Sequence, residues 1–198
     1  YSGSMVFMGG TSLRLVHGNT RFSEDLDFDN LKLKENEFDG LPQIIRKKLE
    51  MEGYEIETRS IHRGAFHCYI RFPGLLFAEG LPGHREEKLL IQLDSEPQEY
   101  VYKPEKYILN KFDVFTEIQI TPVKTLLAQK LYAILNRSRN KGRDFYDVTF
   151  LLSLQKEPDW EYLDKKINIK GPSGLKEALI KHCEKINMAE MARDVEPF

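Results

Sequence analysis

The chain has 198 residues, which is about the length of one ordinary domain. It carries 29 lysines and arginines against 31 aspartates and glutamates, a net charge of −2. Because there is no basic excess, any contact with nucleic acid or an anionic membrane needs a local patch. Cys68 and Cys183 have no metal-ligand spacing, so neither a disulfide scaffold nor a cysteine-bound zinc is expected. No apolar run reaches the roughly 18 residues of a membrane span, and we expect a cytoplasmic protein without a membrane partner.

Up to about residue 120, apolar periodicity and turn residues predict alternating strands and helices. The predicted elements of this part are, in chain order, a strand at Met5–Met8, a helix capped by Thr11 and Ser12 that ends at His17 with Gly18 as C-cap, a strand around Leu26–Phe28, a helix over Phe38–Glu52, strands at Tyr54–Ser60 and Ala65–Phe72, a long loop over Pro73–Glu87, and a strand at Lys88–Asp94.

Beyond this point the apolar period becomes helical. Thr121 as N-cap and Pro122 as the first helical residue predict a helix that runs to about Asn136. The further predicted helices are Arg143–Leu154, Trp160–Ile167 and Gly174–Asn187. The chain is therefore assigned to the α+β class, with a mixed-sheet core over residues 1–120 and a helical part over residues 121–198.

Residues 25–29 alternate acidic and apolar side chains. On a strand, alternate side chains share a face, so Asp25 and Asp27 are predicted to stand side by side opposite the core. Two adjacent carboxylates repel unless a cation lies between them, and Mg²⁺ prefers such oxygen ligands. The same pattern is also typical of a solvated, half-buried strand. An EF-hand calcium loop is excluded, because Asn30 and Asn36 stand where glycine and glutamate are needed.

Two further features complete what phosphoryl transfer needs, a metal pair and a phosphate cradle. Asp94 ends an apolar strand, and it reaches the face of Asp25 and Asp27 if the two strands are neighbours. Otherwise it caps the following turn. Gly9 and Gly10 precede a helix whose N-terminus favours anions, so they form either a phosphate-binding turn or simply a tight turn.

Charged residues interrupt the apolar faces of two predicted helices. Lys130 falls within an apolar stripe, either as a lysine that snorkels from the core edge or as one that holds a nucleotide phosphate in a cleft. Asp144 and Asp147 interrupt the apolar face of the next helix, where Asp144 is also placed to interact with the helix dipole. An ion pair between Lys130 and one of these acids would form a wall of the same site.

A basic stretch joins these two helices, with Arg137, Arg139, Lys141 and Arg143 inside seven residues. Such a stretch is typical of a solvated turn, or of a surface that guides an NTP or an RNA backbone. The five histidines show neither metal-ligand nor triad spacing, and no P-loop pattern occurs. The sequence therefore gives no reason to invoke a transition metal.

Taken together, these motifs resemble the signature of the AbiEii/AbiGii toxin family. The segments that carry the resemblance are Gly9–Leu13 (GGTSL) and Arg21–Phe28 (RFSEDLDF). The helix of Lys130 and the segment Arg143–Asp147 (RDFYD) resemble the downstream motifs of the same family. The family belongs to the nucleotidyltransferases of the DNA polymerase β superfamily.

The resemblance implies a small mixed β-sheet flanked by helices, with the helical C-terminal part forming the other wall of a cleft. It implies Mg²⁺-dependent transfer of a nucleoside monophosphate from an NTP to an acceptor hydroxyl, with release of pyrophosphate. The residues that it implies as catalytic are Asp25, Asp27, Asp94, Lys130 and Asp144. Two Mg²⁺ ions, or Mn²⁺ in their place, would be bound by Asp25, Asp27 and Asp94. The residues that it implies for substrate binding are Gly9, Gly10, Thr11, Ser12, Arg21, Ser23, Lys130, Arg143 and Asp147.

Some family members modify the acceptor end of tRNA and have cognate antitoxins, so tRNA and an antitoxin are the expected partners. Two alternatives stay open: the same chemistry on a small-molecule or protein acceptor, and an idle nucleotide- or partner-binding module. A tRNA acceptor is expected to need the basic segment 137–143, whereas a small acceptor is not. Family members usually extend before the first motif and beyond a pair like Pro197-Phe198, so this chain is expected to be a shortened form or a fragment.

Overall fold

A mixed β-sheet lies at the centre of the protein. The computed structural model describes residues 3–81 and 84–197, and within these ranges it contains one seven-stranded sheet and eight α-helices. The strands are β1 (Met5–Met8), β2 (Leu26–Asn30), β3 (Glu57–Arg63), β4 (Ala65–Pro73), β5 (Lys88–Pro97), β6 (Glu105–Lys111) and β7 (Val114–Ile120). Their spatial order is β3-β4-β5-β2-β1-β7-β6. The predicted α+β class with a mixed sheet is confirmed.

The order of the strands brings distant segments together at the centre of the sheet. Strand β2 pairs antiparallel with β1 and parallel with β5, and β5 pairs antiparallel with β4. Leu26 and Phe28 of β2 pack into a core on one face of the sheet. Because side chains alternate along a strand, Asp27 and Asp29 lie on the opposite face.

Helices flank the sheet and form most of the second half of the chain. They are α1 (Gly9–His17), α2 (Leu41–Met51), α3 (Leu75–Ala78), α4 (Val123–Asn136), α5 (Gly142–Ser153), α6 (Trp160–Ile167), α7 (Pro172–Cys183) and α8 (Met188–Val195). A 3₁₀ turn at Glu35–Phe38 precedes α2. None of the helices in the described ranges is long and apolar enough to cross a membrane.

Two hydrophobic cores hold these elements together. One lies between α2 and the sheet and contains Phe66, Cys68 and Leu93. The other gathers Leu13 of α1 with residues of α4, α5 and α6, such as Leu127. Because Leu13 is fully buried in this second core, α1 fastens the N-terminal segment to the helical part.

The structure corrects several predicted element boundaries. Helix α1 begins at Gly9 rather than after Ser12, and α4 begins at Val123 with Pro122 as its N-cap. The helix predicted over Phe38–Glu52 is a 3₁₀ turn followed by the shorter α2.

Further boundaries also differ, and the strand predicted at Tyr54–Ser60 is β3 at Glu57–Arg63. Strand β5 continues to Pro97, and the predicted loop over Pro73–Glu87 contains α3. The helix predicted over Gly174–Asn187 ends at Cys183, after which α8 follows as a separate helix. Residues 82 and 83 of that loop, and Phe198 of the C-terminal pair, lie outside the described residues.

The hairpin of β6 and β7 was not predicted from the sequence. Its turn places Phe112 and Asp113 at φ 53° and 60°, a left-handed conformation that glycine or asparagine usually supplies. The apolar side chains near this turn also stay in solvent, since Phe112 and Phe115 are 80% and 75% exposed. The hairpin therefore lacks both usual sequence signals, a glycine turn and a buried alternating face.

Candidate active site

A cleft of about 440 Å³ lies between the central strands and the helical part. Its lining includes five of the predicted site residues, each from a different element: Gly9, Asp27, Asp94, Lys130 and Asp144. Gly9 and the two aspartates form the side of the sheet, and Lys130 with Asp144 forms the side of α4 and α5. The tertiary structure thus places the two carboxylates on one side of a single cavity and the lysine on the other side.

Asp27 and Asp94 are register partners on the neighbouring parallel strands β2 and β5. Their side chains therefore share one face of the sheet, as the sequence predicted for the case of adjacent strands. Burial, together with the charges of Asp25 and Asp94, raises the pKa of Asp27 to about 6. Lys130 and Arg143 act in the opposite direction. The Asp27 carboxylate therefore sits among acids that repel it and bases that stabilise its charge.

Asp94 is held in place by its neighbours on the sheet. His67 Nδ1 lies 2.8 Å from Asp94 Oδ1, and Gln92 Nε2 donates hydrogen bonds to both Asp94 oxygens at 3.0 and 2.9 Å. His67 is the register partner of Asp94 on β4, and Gln92 lies two residues before it on β5. Asp94 therefore has a defined orientation beside Asp27.

Asp25 immediately precedes β2, and its side chain is outside the lining of the cleft. The Thr11 hydroxyl donates a 2.5 Å hydrogen bond to the Asp25 backbone carbonyl, which ties α1 to the start of the acidic segment. Asp25 is close enough for its charge to raise the pKa of Asp27. Thr11 thus contacts the backbone that carries the acids.

The two glycines make room for other side chains of the site. A β-carbon on Gly9 would lie 2.8 Å from Asp27 Cγ, and Gly9 has a φ of +75°. A β-carbon on Gly10 would lie 2.5 Å from Arg21 Nη2 and 2.6 Å from Ser23 Oγ. The glycine pair therefore lets Asp27 and Arg21 pack directly against the start of α1.

Lys130 belongs to a buried network of ion pairs. Its Nζ lies 3.1 Å from Asp144 Oδ1 and 2.9 Å from Asp147 Oδ2. Arg137 Nη1 lies 2.7 Å from the other Asp144 oxygen. The Lys130 side chain is only 14% exposed. It forms the ion pair with the acids of α5 that the sequence suggested, and it also lines the cleft. Its contact with a nucleotide phosphate stays a prediction.

Arg21 and Asp147 form the deeper end of this network. The Arg21 guanidinium binds both Asp147 oxygens through Nε and Nη2, each at 2.9 Å, and Asn19 donates to Oδ1 at 3.1 Å. Burial by itself would raise the pKa of Asp147, but the bonds from Arg21 and Lys130 hold it below its ordinary value. Because Arg21 precedes β2 and Asp147 lies on α5, this pair joins the sheet to the helical part.

The other predicted substrate-binding residues do not line the cleft. Arg21 and Asp147, described above, are two of them. The others are Gly10, Thr11, Ser12, Ser23 and Arg143. Ser12 is fully buried and its Oγ has no hydrogen-bond partner among the described residues. The structure places these side chains behind or beside the cleft, and their contact with substrate stays a prediction.

Asp29 is a cleft residue that the sequence analysis did not single out. It is fully buried and accepts hydrogen bonds from Tyr102 and, at 2.6 Å, from Gln129 Nε2. Burial raises the pKa of Asp29, and the hydrogen bonds offset part of this effect, so that the pKa is about 6. The signal was the third acid in the alternation of residues 25–29, which places Asp29 on the face of Asp27.

A divalent metal is the cofactor that this fold and these acids imply. Among the described residues, no three histidine, cysteine or acidic side chains stand close enough together to hold a metal ion. The donor chemistry nevertheless fits a hard cation, since Asp27 and Asp94 offer adjacent carboxylate oxygens whose mutual repulsion a cation would relieve. The residues that would hold it are therefore Asp27 and Asp94, with Asp25 next to them.

Several solved structures have a similar fold, including the following two. One is JHP933 from Helicobacter pylori, with 20% identity and a TM-score of 0.53 over 97% of this chain and 80% of that one. The other is an antigenic nucleotidyltransferase-like protein from Paracoccidioides brasiliensis, with 15% identity and a TM-score of 0.53 over 97% of this chain and 84% of that one. At these identities the likeness shows the fold alone. No curated protein matches the chain.

The family comparison covers almost the whole chain. Residues 1–194 match the family described as "Nucleotidyl transferase AbiEii toxin, Type IV TA system". The matched range contains the cleft, both of its walls and every residue predicted for the site. The chain therefore belongs to the AbiEii toxin family and is a nucleotidyltransferase.

Proposed function

We propose that this protein transfers a nucleoside monophosphate from an NTP to a hydroxyl of tRNA, using Mg²⁺ and releasing pyrophosphate. The observation that carries the proposal is the in-register pair of Asp27 and Asp94, which shares the cleft with Lys130. This arrangement combines acidic metal ligands with a cation for phosphate, the two requirements of phosphoryl transfer. Membership of a type IV toxin–antitoxin family adds a nucleotide substrate and a cognate antitoxin as partners.

Each cleft residue has a distinct part in this reaction. Asp27 and Asp94 would hold Mg²⁺, with Asp25 beside them, and His67 fixes the direction of Asp94. The bound metal would neutralise the leaving pyrophosphate and acidify the attacking hydroxyl. Lys130 binds a phosphate oxygen of the NTP, and Asp144 holds the lysine ammonium in the cleft. A bond forms between the acceptor oxygen and the α-phosphorus, the bond from that phosphorus to the β-phosphate oxygen breaks, and the hydroxyl proton passes to solvent.

Gly9 acts at the start of α1. Its lack of a side chain gives the Asp27 carboxylate the space that it occupies. A helix N-terminus favours the negative charge of the phosphate. Gly9 therefore serves both the substrate and the metal ligand.

The test is a labelling experiment with the protein, Mg²⁺, total tRNA and each α-³²P-labelled NTP in turn. We expect labelled tRNA from the wild type and a loss of at least about 100-fold in Asp27→Asn, because a metal ligand is removed. Asp113→Asn is the matched control, since Asp113 is exposed at the turn between β6 and β7 and asparagine tolerates its positive φ. Full activity of Asp27→Asn would overturn the assignment of the site.

The same experiment separates the acceptors and the metal. Pyrophosphate release with label on protein, and none on RNA, would retain the transfer reaction and reject tRNA as the acceptor. Activity that survives EDTA would reject the metal requirement. Activity restored by Mn²⁺ after EDTA would show that the site accepts either ion.

A further inference from the structure

The row of side chains that contains Asp27 and Asp94 continues across the sheet beyond the cleft. Asp94 pairs in register with Asp27 on one side and with His67 of β4 on the other. Cross-strand partners place their side chains on the same face of a sheet. The face that carries the two acids therefore extends over β4 and β3, and the acceptor has to approach the acids from somewhere on this surface.

Besides Ile61 opposite His67 and Glu57 opposite Arg71, this extension carries basic and aromatic side chains. Tyr69 and Arg71 follow His67 on the same face of β4, and Arg59 of β3 lies opposite Tyr69. Arg63 of β3 lies opposite Ala65, which is also on this face. We name Arg59, Arg63, His67, Tyr69 and Arg71 the open face. In the described part of the chain, none of its three arginines forms an ion pair with an acid.

The arginines are available for an external anion. Arg59 and Arg63 are exposed, and Arg71 lies over the Tyr69 ring at 5.8 Å from its centroid. The acid nearest to them in register is Glu57, opposite Arg71, and it pairs with Lys88 at 2.8 Å. The open face therefore carries three arginines that have no ion-pair partner among the described residues, next to an aromatic ring.

The other face of the same strands is occupied. Phe66, Cys68 and Ile70, which alternate with the residues of the open face, are buried in the core under α2. The exposure of the open face is thus a property of one side of the sheet only. This side is continuous with the catalytic acids.

We propose that the open face binds the single-stranded end of an RNA acceptor and leads its terminal hydroxyl to Asp27 and Asp94, an inference that rests on the proposed nucleotidyl transfer. Guanidinium groups bind phosphate oxygens in a bidentate manner, and aromatic rings stack on bases of any sequence. Both groups are present at strand spacing, on either side of the row that contains Asp94 and His67. A small-molecule acceptor would contact this row and would not need arginines two strands away.

The basic stretch between α4 and α5 has a different place in this arrangement. Arg137 lines the helical wall of the cleft and is bound to Asp144 at 2.7 Å. Its charge is therefore partly compensated and lies on the side of Lys130. The RNA backbone is assigned to the open face, and the helical wall is left to the NTP.

The test compares two triple variants that lose the same charge from opposite faces. Arg59→Gln/Arg63→Gln/Arg71→Gln removes the cations of the open face. Arg46→Gln/Lys47→Gln/Lys48→Gln removes three exposed cations of α2, which covers the other face. The probe is a 5′-fluorescein single-stranded RNA with a free 3′ hydroxyl, and fluorescence anisotropy gives its Kd at several salt concentrations. Circular dichroism checks that both variants are folded.

We expect the open-face variant to bind the RNA at least about tenfold more weakly, and the α2 variant to bind like the wild type. The slope of the logarithm of the association constant against log salt is negative, and in the open-face variant it should become shallower by about 2. Each phosphate contact on a single strand contributes about 0.7 to this slope, and three contacts are lost. Tyr69→Ala should weaken RNA binding without changing this slope. Tyr69→Phe should bind RNA with the wild-type affinity, because the ring is kept. Fluorescent NTP should bind equally to all of these variants.

The experiment distinguishes a failure of the proposed RNA-binding surface from a failure of the proposed nucleotidyl transfer. Equal weakening in the two triple variants, or wild-type affinity in the open-face variant, would overturn the proposed surface. Transfer of label to a protein or a small hydroxyl compound, without RNA binding, would also overturn it while the nucleotidyl transfer stands. RNA binding that depends on the open face in a protein with no transfer activity would retain the surface and reject the proposed function.

Discussion

The carboxylate of Asp27 packs directly against Gly9, in the space that any side chain on residue 9 would occupy. The contact follows from the register of the central strands, since Met8 of β1 is paired with Asp27 of β2. Gly9 also has a φ of +75°, in the left-handed region that L-residues avoid. The start of α1 and the position of the acid are therefore mutually dependent.

Gly9→Ala is expected to impair transfer more than its effect on stability explains. The left-handed conformation costs about 1–2 kcal/mol for alanine, and the new methyl group also displaces Asp27. A displacement of about 1 Å in a catalytic group lowers the rate about 100-fold. Thermal unfolding and tRNA labelling give the two effects. Gly18→Ala is the control, because Gly18 has a φ of +80° but nothing within 4 Å of its β-carbon position. Equal activity in the two variants would contradict the role of the Gly9 contact.

The buried pair of Arg21 and Asp147 is expected to dominate the stability of the contact between sheet and helices. Arg21→Met leaves the fully buried Asp147 carboxylate with one cation fewer, which should lower the free energy of unfolding by about 3–5 kcal/mol. Arg46→Met is the comparison, since the exposed Arg46–Glu50 pair should contribute less than about 1 kcal/mol. Urea unfolding measures both. Similar losses of unfolding free energy in the two variants would show that the buried pair contributes no more to stability than the exposed pair.

The buried Asp29 carboxyl makes stability depend on pH in a definite direction. Its pKa is about 6 in the folded protein and 3.8 ordinarily, so within this window the folded state keeps a proton that the unfolded state has lost. The free energy of unfolding should therefore decrease as pH rises from 3.8 to about 6. Each unit of pKa difference corresponds to about 1.4 kcal/mol, which gives a decrease on the order of 3 kcal/mol for this group.

Asp29→Asn should flatten this pH dependence, because the amide does not titrate. A part of the slope should remain, since burial also raises the pKa of Asp27 to about 6. Urea unfolding across this pH window, with EDTA present, measures the slope in both proteins. A variant with an unchanged slope would contradict the raised pKa of Asp29.

The docking of α8 depends on Gly142. A β-carbon at this position would lie 2.9 Å from Asp194 Cβ and would also clash with the Met191 carbonyl oxygen. The Gly142 amide donates a 2.7 Å hydrogen bond to Asp194 Oδ2. Gly142→Ala should therefore release α8 and cost about 1–3 kcal/mol.

Hydrogen exchange of the α8 amides and thermal unfolding check this prediction. Gly174→Ala on α7 is the control, because its β-carbon would meet nothing within 4 Å and alanine favours a helix. We expect this variant to be as stable as the wild type or slightly more stable. Unchanged protection of α8 in Gly142→Ala would contradict the clash.

Local sequence patterns accounted for the elements with clear signals. The apolar run before Gly9 predicted β1, and the alternation of residues 25–29 placed Asp27 opposite the core face of β2. The same patterns could not predict the hairpin of β6 and β7, since its turn uses Phe112 and Asp113 and the apolar side chains near this turn stay exposed. Such elements depend on pairing with a neighbouring strand, and that information is not local.

The chemical character of the site was determined by the sequence, through two acids on one strand face, a third acid at the end of another strand and a lysine within an apolar stripe. The tertiary structure decided which of them meet. The parallel pairing of β2 with β5 sets Asp27 beside Asp94, and the packing of α5 on α4 brings Asp147 and Asp144 to Lys130. Strand register and helix packing join residues far apart in the chain, so the local periodicity of a segment cannot specify its partner.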